Sequence, residues 1–388
     1  MRIWTIATTA ACVSFVAACG GPTESAGSQE ATAAAQSSAL SVVPTSSGGA
    51  VFTMSDDGTA NAVLAFERAS DGTLSLTGTV PTEGVGSGMG EATLGSQGSV
   101  TLSRDGRHLF VVNAGSNDVS SFNVNGSTVT FASREPSGGT LPVSVDEYGG
   151  IVYVVNAGGD GNIFGLTVDP MGVLHPLAGS SRPLSATAAG PAEIAFDRAG
   201  EFLTVTEKAT QAISLYHVGR GGYASLPSAT PSAGKTPFGF VYTPEDVLVV
   251  TEAEGGSVDG STVSSYLLES RRLELASASV PDMQTAACWV AATADGRLAY
   301  VANAASGDLS SYRIDGRGML KLVNPTAAVI AMGKPLDTSL SDGDRFLYTL
   351  DASHHVIQAF RVADDGSLVA LGPQSGALPS SAVGLAAR

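Results

Sequence analysis

The sequence predicts an all-β fold: a closed ring of seven four-stranded antiparallel sheets, sealed by pairing of the last strand with the first. Three observations predict it. One pattern recurs seven times along the chain. Its polar marker residue returns on average every ~49 residues, the length of a four-stranded unit. The chain also ends on a strand-like run that has no turn or partner run of its own, and the first copy lacks a run of that type.

Six copies read as a turn, an apolar run, a polar marker, a small-residue loop and a second alternating run, and the copy at residues 50–55 lacks only the preceding turn. The markers are Ser55, Asn113, Asn156, Thr206, Thr251, Asn303 and Asp351. The apolar runs before them are β-branched and aromatic, and steps such as Asp105-Gly106 and Asp295-Gly296 punctuate them as tight turns. Runs that are apolar throughout fit strands buried on both faces, as when radial sheets stack on each other. A short strand is expected before each turn, at 98–103, 143–146, 193–197, 238–242, 288–293 and 336–340. The orphan run at 381–386 then pairs with the strand holding Val51 to Met54. Closure of that kind leaves no exposed edge and makes the fold a seven-bladed β-propeller over residues 48–388.

The first residues read as an address. Met1-Arg2 gives a positive start, an apolar stretch follows, and Val16-Ala17-Ala18-Cys19 resembles a bacterial lipobox. That resemblance implies removal of residues 1–18 and lipidation of Cys19, with the acyl chains as the only membrane contact. Residues 19–47 are rich in Ser, Ala, Gly and Thr and read as a flexible tether. Gly20 stands where Asp would argue for the inner membrane, so the expected location is the bacterial cell envelope, on the outer membrane.

Composition narrows the function. Charged residues are 14% of the chain, and the formal net charge is −16. The basic footprint that nucleic-acid binding needs is missing. Three cysteines, of which Cys12 leaves with the leader, make no disulfide framework. No cofactor motif occurs, and adjacent His354-His355 with Asp351 is a poor metal set. The expectation is a cofactor-free, metal-free monomer whose partner is a small anionic molecule or an envelope protein.

The repeat phrases Leu102-Ser103-Arg104-Asp105-Gly106-Arg107 and Val112-Asn113-Ala114-Gly115-Ser116-Asn117 resemble the seven-bladed lactonase propeller family. That family includes 6-phosphogluconolactonase-like and carboxymuconate-cyclase-like enzymes. The resemblance implies hydrolysis or formation of a small anionic lactone ring at the central mouth. It carries an acidic residue onto Glu207, in Val205-Thr206-Glu207-Lys208. Where the family tends to have a His and an Asn-Arg step, this chain has Glu193 and Thr251-Glu252-Ala253.

The loops that enter the inner strands and leave the second strands share one mouth. Glu193, Glu207 and Glu252 fall there, and close carboxylates can split into an acid and a base. Glu207 is the expected general base, with Lys235 steadying an oxyanion. The competing reading makes all three loop carboxylates that cap backbone N–H groups or pair with the lysines. Three of the four lysines, Lys208, Lys235 and Lys334, fall on the same mouth and suit an anionic group. The markers Asn113, Asn156 and Asn303 complete the expected ligand-binding set. Residues 81–96 read as a long mobile loop over the mouth, a lid or a plain linker. Cys288 reads as a small buried hydrophobe, and Phe238, Phe240 and Trp289 as packing near the axis. The alternative function is a non-catalytic propeller that binds a ligand or a partner.

Overall fold

The computed structural model describes residues 48–89 and 94–388. Its strands form seven sheets around one axis. Blades are numbered from the one that holds the first strand. Blade 1 takes its innermost strand from the C-terminus, Val383–Ala387, followed outward by Gly49–Met54, Ala62–Arg68 and Leu74–Pro81. The inner strands of blades 2 to 7 are Val100–Leu102, Pro142–Tyr148, Pro191–Phe196, Pro237–Tyr242, Ala287–Ala292 and Pro335–Leu340. Blade 3 departs from four strands. Its outer position is split between Leu174–Pro176 and Arg182–Pro183, both paired with Asn162–Val168.

The ring closes as the sequence predicts. Val51, Phe52, Thr53 and Met54 pair with Ala387, Ala386, Leu385 and Val383. Thr53 Oγ1 donates to the Val383 carbonyl at 3.2 Å, and Arg68 donates through Nε and Nη2 to the Arg388 carbonyl, each at 3.2 Å.

Two repeated devices join neighbouring blades. Outside, a hydroxyl on one blade donates to the carbonyl of a glycine in the next blade's outermost turn. Ser121 reaches Gly172, Tyr153 reaches Gly222, Ser265 reaches Gly318, Tyr300 reaches Gly366 and Tyr348 reaches Gly72, at 2.6–2.8 Å. Those glycines have positive φ, which presents the carbonyl toward the neighbour at no steric cost. Inside, a side chain on one inner strand accepts a backbone N–H from the next. Ser144 accepts from Ile194 at 3.2 Å, Asp146 from Phe196 at 2.8 Å, Glu193 from Phe240 at 2.6 Å and Asp337 from Gly384 at 3.0 Å. Buried N–H groups need such acceptors, and around the axis these side chains supply them.

The second strands are buried almost throughout, and their side chains make the cores between blades. Among the described residues no helix is long and apolar enough to cross a membrane. The expected leader, the expected lipidation of Cys19 and the expected tether fall on residues 1–47, outside the described residues.

Candidate functional site

The corner where each second strand turns into the third holds the predicted marker positions or the residue after them. Asn113 faces Asp118 across the hairpin, and Asn303 faces Asp308. Each asparagine donates through Nδ2 to its aspartate, at 2.7 and 2.9 Å. Glu207 and Glu252 sit in the same register opposite Ala212 and Thr262, and Asp351 sits opposite Val356. In these five blades the corner holds one carboxylate, contributed by either strand. In blade 3 Asn156 faces Asn162, and no carboxylate is present. Asn156 Nδ2 donates to the Ser137 carbonyl at 2.9 Å, while the buried Oδ1 atoms of Asn156 and Asn303 find no partner.

Glu207 is fully buried. Oε1 accepts from Ser185 N at 3.0 Å and Ser214 Oγ at 2.7 Å. Oε2 accepts from Thr210 Oγ1 at 2.7 Å and from Ser185 Oγ. Glu252 is bound in the same manner by Gly234 N at 2.7 Å, Thr262 Oγ1 at 2.6 Å and Ser232 Oγ at 3.0 Å. Glu193 lies on the axis and accepts from Phe240 N and from Gln97 Nε2, the latter at 3.2 Å. Burial holds its carboxyl well above the usual range, and Asp146 and Asp337 on the same channel wall push in the same direction. None of the three glutamates shares a hydrogen-bond partner with another. Glu207→Ala therefore strips an acceptor from several buried or half-buried donors. A loss on the order of 3 kcal/mol in urea unfolding is expected, with a smaller loss for Glu207→Gln, which keeps one acceptor oxygen.

The three lysines also separate. Lys235 is exposed, and its backbone N–H binds Glu254 Oε1 at 2.7 Å. Lys334 is half-buried, with its backbone N–H on Asp351 Oδ1 at 3.0 Å. Lys208 turns inward. Its ammonium lies 4.9 Å from the Phe238 ring centroid and donates to the Gly95 carbonyl. Desolvation lowers its pKa to about 8. Next to it are Phe238 and Trp289, edge to face at 5.1 Å. Cys288 is buried there as predicted, and burial pushes its thiol up to about 12 against the pull of Lys208 and Lys334. The mouth thus gathers Lys208, Phe238, Trp289 and Cys288 from blades 4, 5 and 6. His354 stays at the blade 7 corner, with Nδ1 2.6 Å from Asp351 Oδ2.

The expectation for residues 81–96 needs correction, although residues 90–93 lie outside the described ones. The end of that segment runs into the axial channel. Ser96 Oγ donates to the Val143 carbonyl at 2.8 Å, and the Ser96 carbonyl accepts from Trp289 Nε1 at 2.9 Å. Gln97 then spans the channel. Its backbone N–H donates to the Ala192 carbonyl at 3.0 Å. Its Nε2 donates to Phe240 O at 3.0 Å and Val290 O at 3.2 Å, and its Oε1 accepts from Val290 N at 2.9 Å. The last bond fills a gap. At the joint between blades 5 and 6, the place held elsewhere by Ser144, Glu193 or Asp337 is Gly239. A Cβ on Gly239 would stand 2.4 Å from Gln97 Oε1. A glycine admits the amide, and the amide replaces the missing acceptor.

Sequence reasoning did not single out Gln97, yet a signal was present. Pro142, Pro191, Pro237 and Pro335 begin four inner strands and pair with their corner residues. In blade 2 pairing starts only at Val100, so Gln97 is not held to Asn113 and is free to enter the channel.

A family model described as lactonase, 7-bladed beta-propeller, matches residues 59–180 and 251–377, which is well over half of the chain. The chain belongs to the seven-bladed lactonase propeller family. No curated protein sequence matches it. Among solved structures, this lactonase-family propeller is similar to a putative 6-phosphogluconolactonase from Bacteroides uniformis, with 17% identity and a TM-score of 0.67 over 87% of this chain and 99% of that one. It is also similar to the periplasmic gluconolactonase PpgL of Pseudomonas aeruginosa, with 16% identity and a TM-score of 0.66 over 87% and 98%. A functionally unknown protein from Desulfotomaculum acetoxidans aligns at 12% identity and 0.64 over 87% and 98%. At these identities the likeness is one of fold.

Proposed function

We propose that the protein binds a small anionic sugar-acid compound, a lactone that bears a negative group or the open-chain acid it hydrolyses to, at the mouth of the ring. Lys208 holds the negative group, and Phe238 and Trp289 pack against the carbon skeleton. One observation carries the reading: the Lys208 ammonium is drawn into a half-buried, aromatic-walled place where its charge is poorly solvated. An anion arriving there regains that lost electrostatic energy in a low-dielectric setting. On this reading Glu207 and Glu252 brace the blade corners, and Glu193 braces the channel.

Lactone opening is the second reading, favoured by the fall of Lys208 toward pH 8. Near that pH a large fraction of the amine is neutral and able to take a proton from water. The water oxygen bonds to the ring carbonyl carbon, the bond from that carbon to the ring oxygen breaks, and the proton passes to the departing oxygen. Removal of residues 1–18 as a leader and lipidation of Cys19 would anchor this site in the cell envelope.

Isothermal titration of the full chain with gluconate, together with a pH-stat assay on 6-phosphoglucono-δ-lactone, tests both readings. Lys208→Met is expected to weaken binding at least tenfold without lowering the melting temperature. Binding equal to the wild type would sink the proposal. Opening that survives in Lys208→Met would remove the amine from the chemistry.

A further inference from the structure

We infer that residues Gly95 to Gln97 are an internal stand-in for the ligand: the carbonyl oxygens of Gly95 and Ser96 occupy the donors that a carboxylate would use, and ligand and segment compete for them. The inference rests on the mouth being the ligand site, and it adds a built-in contact that must be displaced first.

The geometry argues for it. Two donors at this mouth, the Lys208 ammonium and the Trp289 indole N–H, bind this segment. The first donates to Gly95 O, and the second to Ser96 O at 2.9 Å. Their acceptors are adjacent carbonyls of one segment, with Phe238 between the two donor side chains. A carboxylate likewise presents two acceptor oxygens, and unlike a pair of carbonyls it carries a full charge for the ammonium. The segment is held by Gln97 rather than by strand pairing. Ser96 Oγ and the Gln97 N–H tie it to Val143 and Ala192 on the near side, and apart from the two mouth donors its grip on the far side of the ring is the Gln97 amide, bonded to Phe240 and Val290 and also to Glu193. Amide bonds of this kind contribute about 1 kcal/mol each, so the Gln97 side chain supplies a large share of what holds the segment down. A ligand that binds only the open form loses affinity in proportion to the closed fraction.

The test uses the full chain with Trp4→Phe, which leaves Trp289 as its one tryptophan. In that background Gln97→Ala should free the indole and the amine without any ligand present. The expected results are stronger acrylamide quenching of Trp289 and at least threefold faster acetylation of Lys208, read by mass spectrometry. Gluconate should then bind at least tenfold tighter to Gln97→Ala than to its parent. Gln97→Glu is the second variant. It keeps an acceptor for Val290 N but sets a second carboxylate against Glu193, so the same exposure should grow as pH rises. Unchanged quenching and unchanged acetylation in both variants would overturn the inference, whatever gluconate does. Exposure that rises while gluconate binds neither protein would uphold the masking and count against the proposed ligand class instead. Exposure that rises with affinity unchanged would overturn the competition.

Discussion

A chain that stops at Pro379 is expected not to form the ring. The missing residues include all of Val383–Ala387, the inner strand of blade 1. Val51 to Met54 then lose every pairing on their inner side, although all four are fully buried in the intact fold. Asp337 loses the Gly384 N–H and Ser339 loses the Ala387 N–H, so the inner joint from blade 7 to blade 1 comes apart. Tyr348 to Gly72 remains as an outer tie, at 2.8 Å. Losing a whole core strand outweighs the ~5–15 kcal/mol by which domains are stable, and it bares an apolar strand edge that other copies can pair with. Size-exclusion chromatography and thermal unfolding check the outcome. Soluble monomer melting with the full chain would show that the seam is dispensable.

The second large effect is a loss of stability as pH rises from 5 to 8. Burial raises Asp337 to about 7 and Asp146 to about 6, with Arg104 pulling Asp146 the other way. Burial raises Glu193 in the same direction and takes Asp56 and Asp308 to about 6. Each of these groups binds its proton more tightly in the folded chain than in the unfolded one. For the four aspartates the contribution is fully present below pH ~4 and is lost as pH climbs through the folded values, between ~4 and ~7, and Glu193 acts in the same sense. Lys208 runs the opposite way: its folded value of about 8 makes stability recover as pH rises from there toward the ordinary lysine range. A tenfold change in acidity corresponds to about 1.4 kcal/mol, so the several groups together predict a fall in melting temperature on the order of 5–10 °C between pH 5 and 8. Asp337→Asn keeps an acceptor for Gly384 N–H and cannot ionise, so it should flatten part of that fall. A melting temperature that is level or rises across this range would contradict the assignment of these carboxylates.

The fold was legible because the blade is a local object. Turn, buried run and marker residue repeat in sequence, and the unpaired run at the C-terminus names its own partner. The site was less legible because the mouth is built from residues of different blades whose side-chain directions no repeat encodes. Glu207, Glu252 and Lys235 look alike by position, yet the two glutamates turn into the hairpin corners and Lys235 stays outside. Lys208 follows Glu207 directly and points the other way, toward Phe238. The alternation of a strand end decides this, and a marker pattern counts only the spacing. Blade 2 shows the same limit. Its inner strand is shorter than expected, Val100–Leu102 rather than 98–103, because the residues before Val100 leave the sheet for the channel.

The span of Gln97 also bears on the order in which the molecule can be assembled. Its amide and its receptor at Val290 are 193 positions apart. A ribosome releases the amide long before the receptor exists, and domains begin to organise as they emerge. Early sectors must therefore wait with this latch undone, and it fastens only when the sixth sector swings into place across from the second. The chain thus carries a late check on its own circumference, since a ring with one sector too few or too many would leave the latch without its receptor.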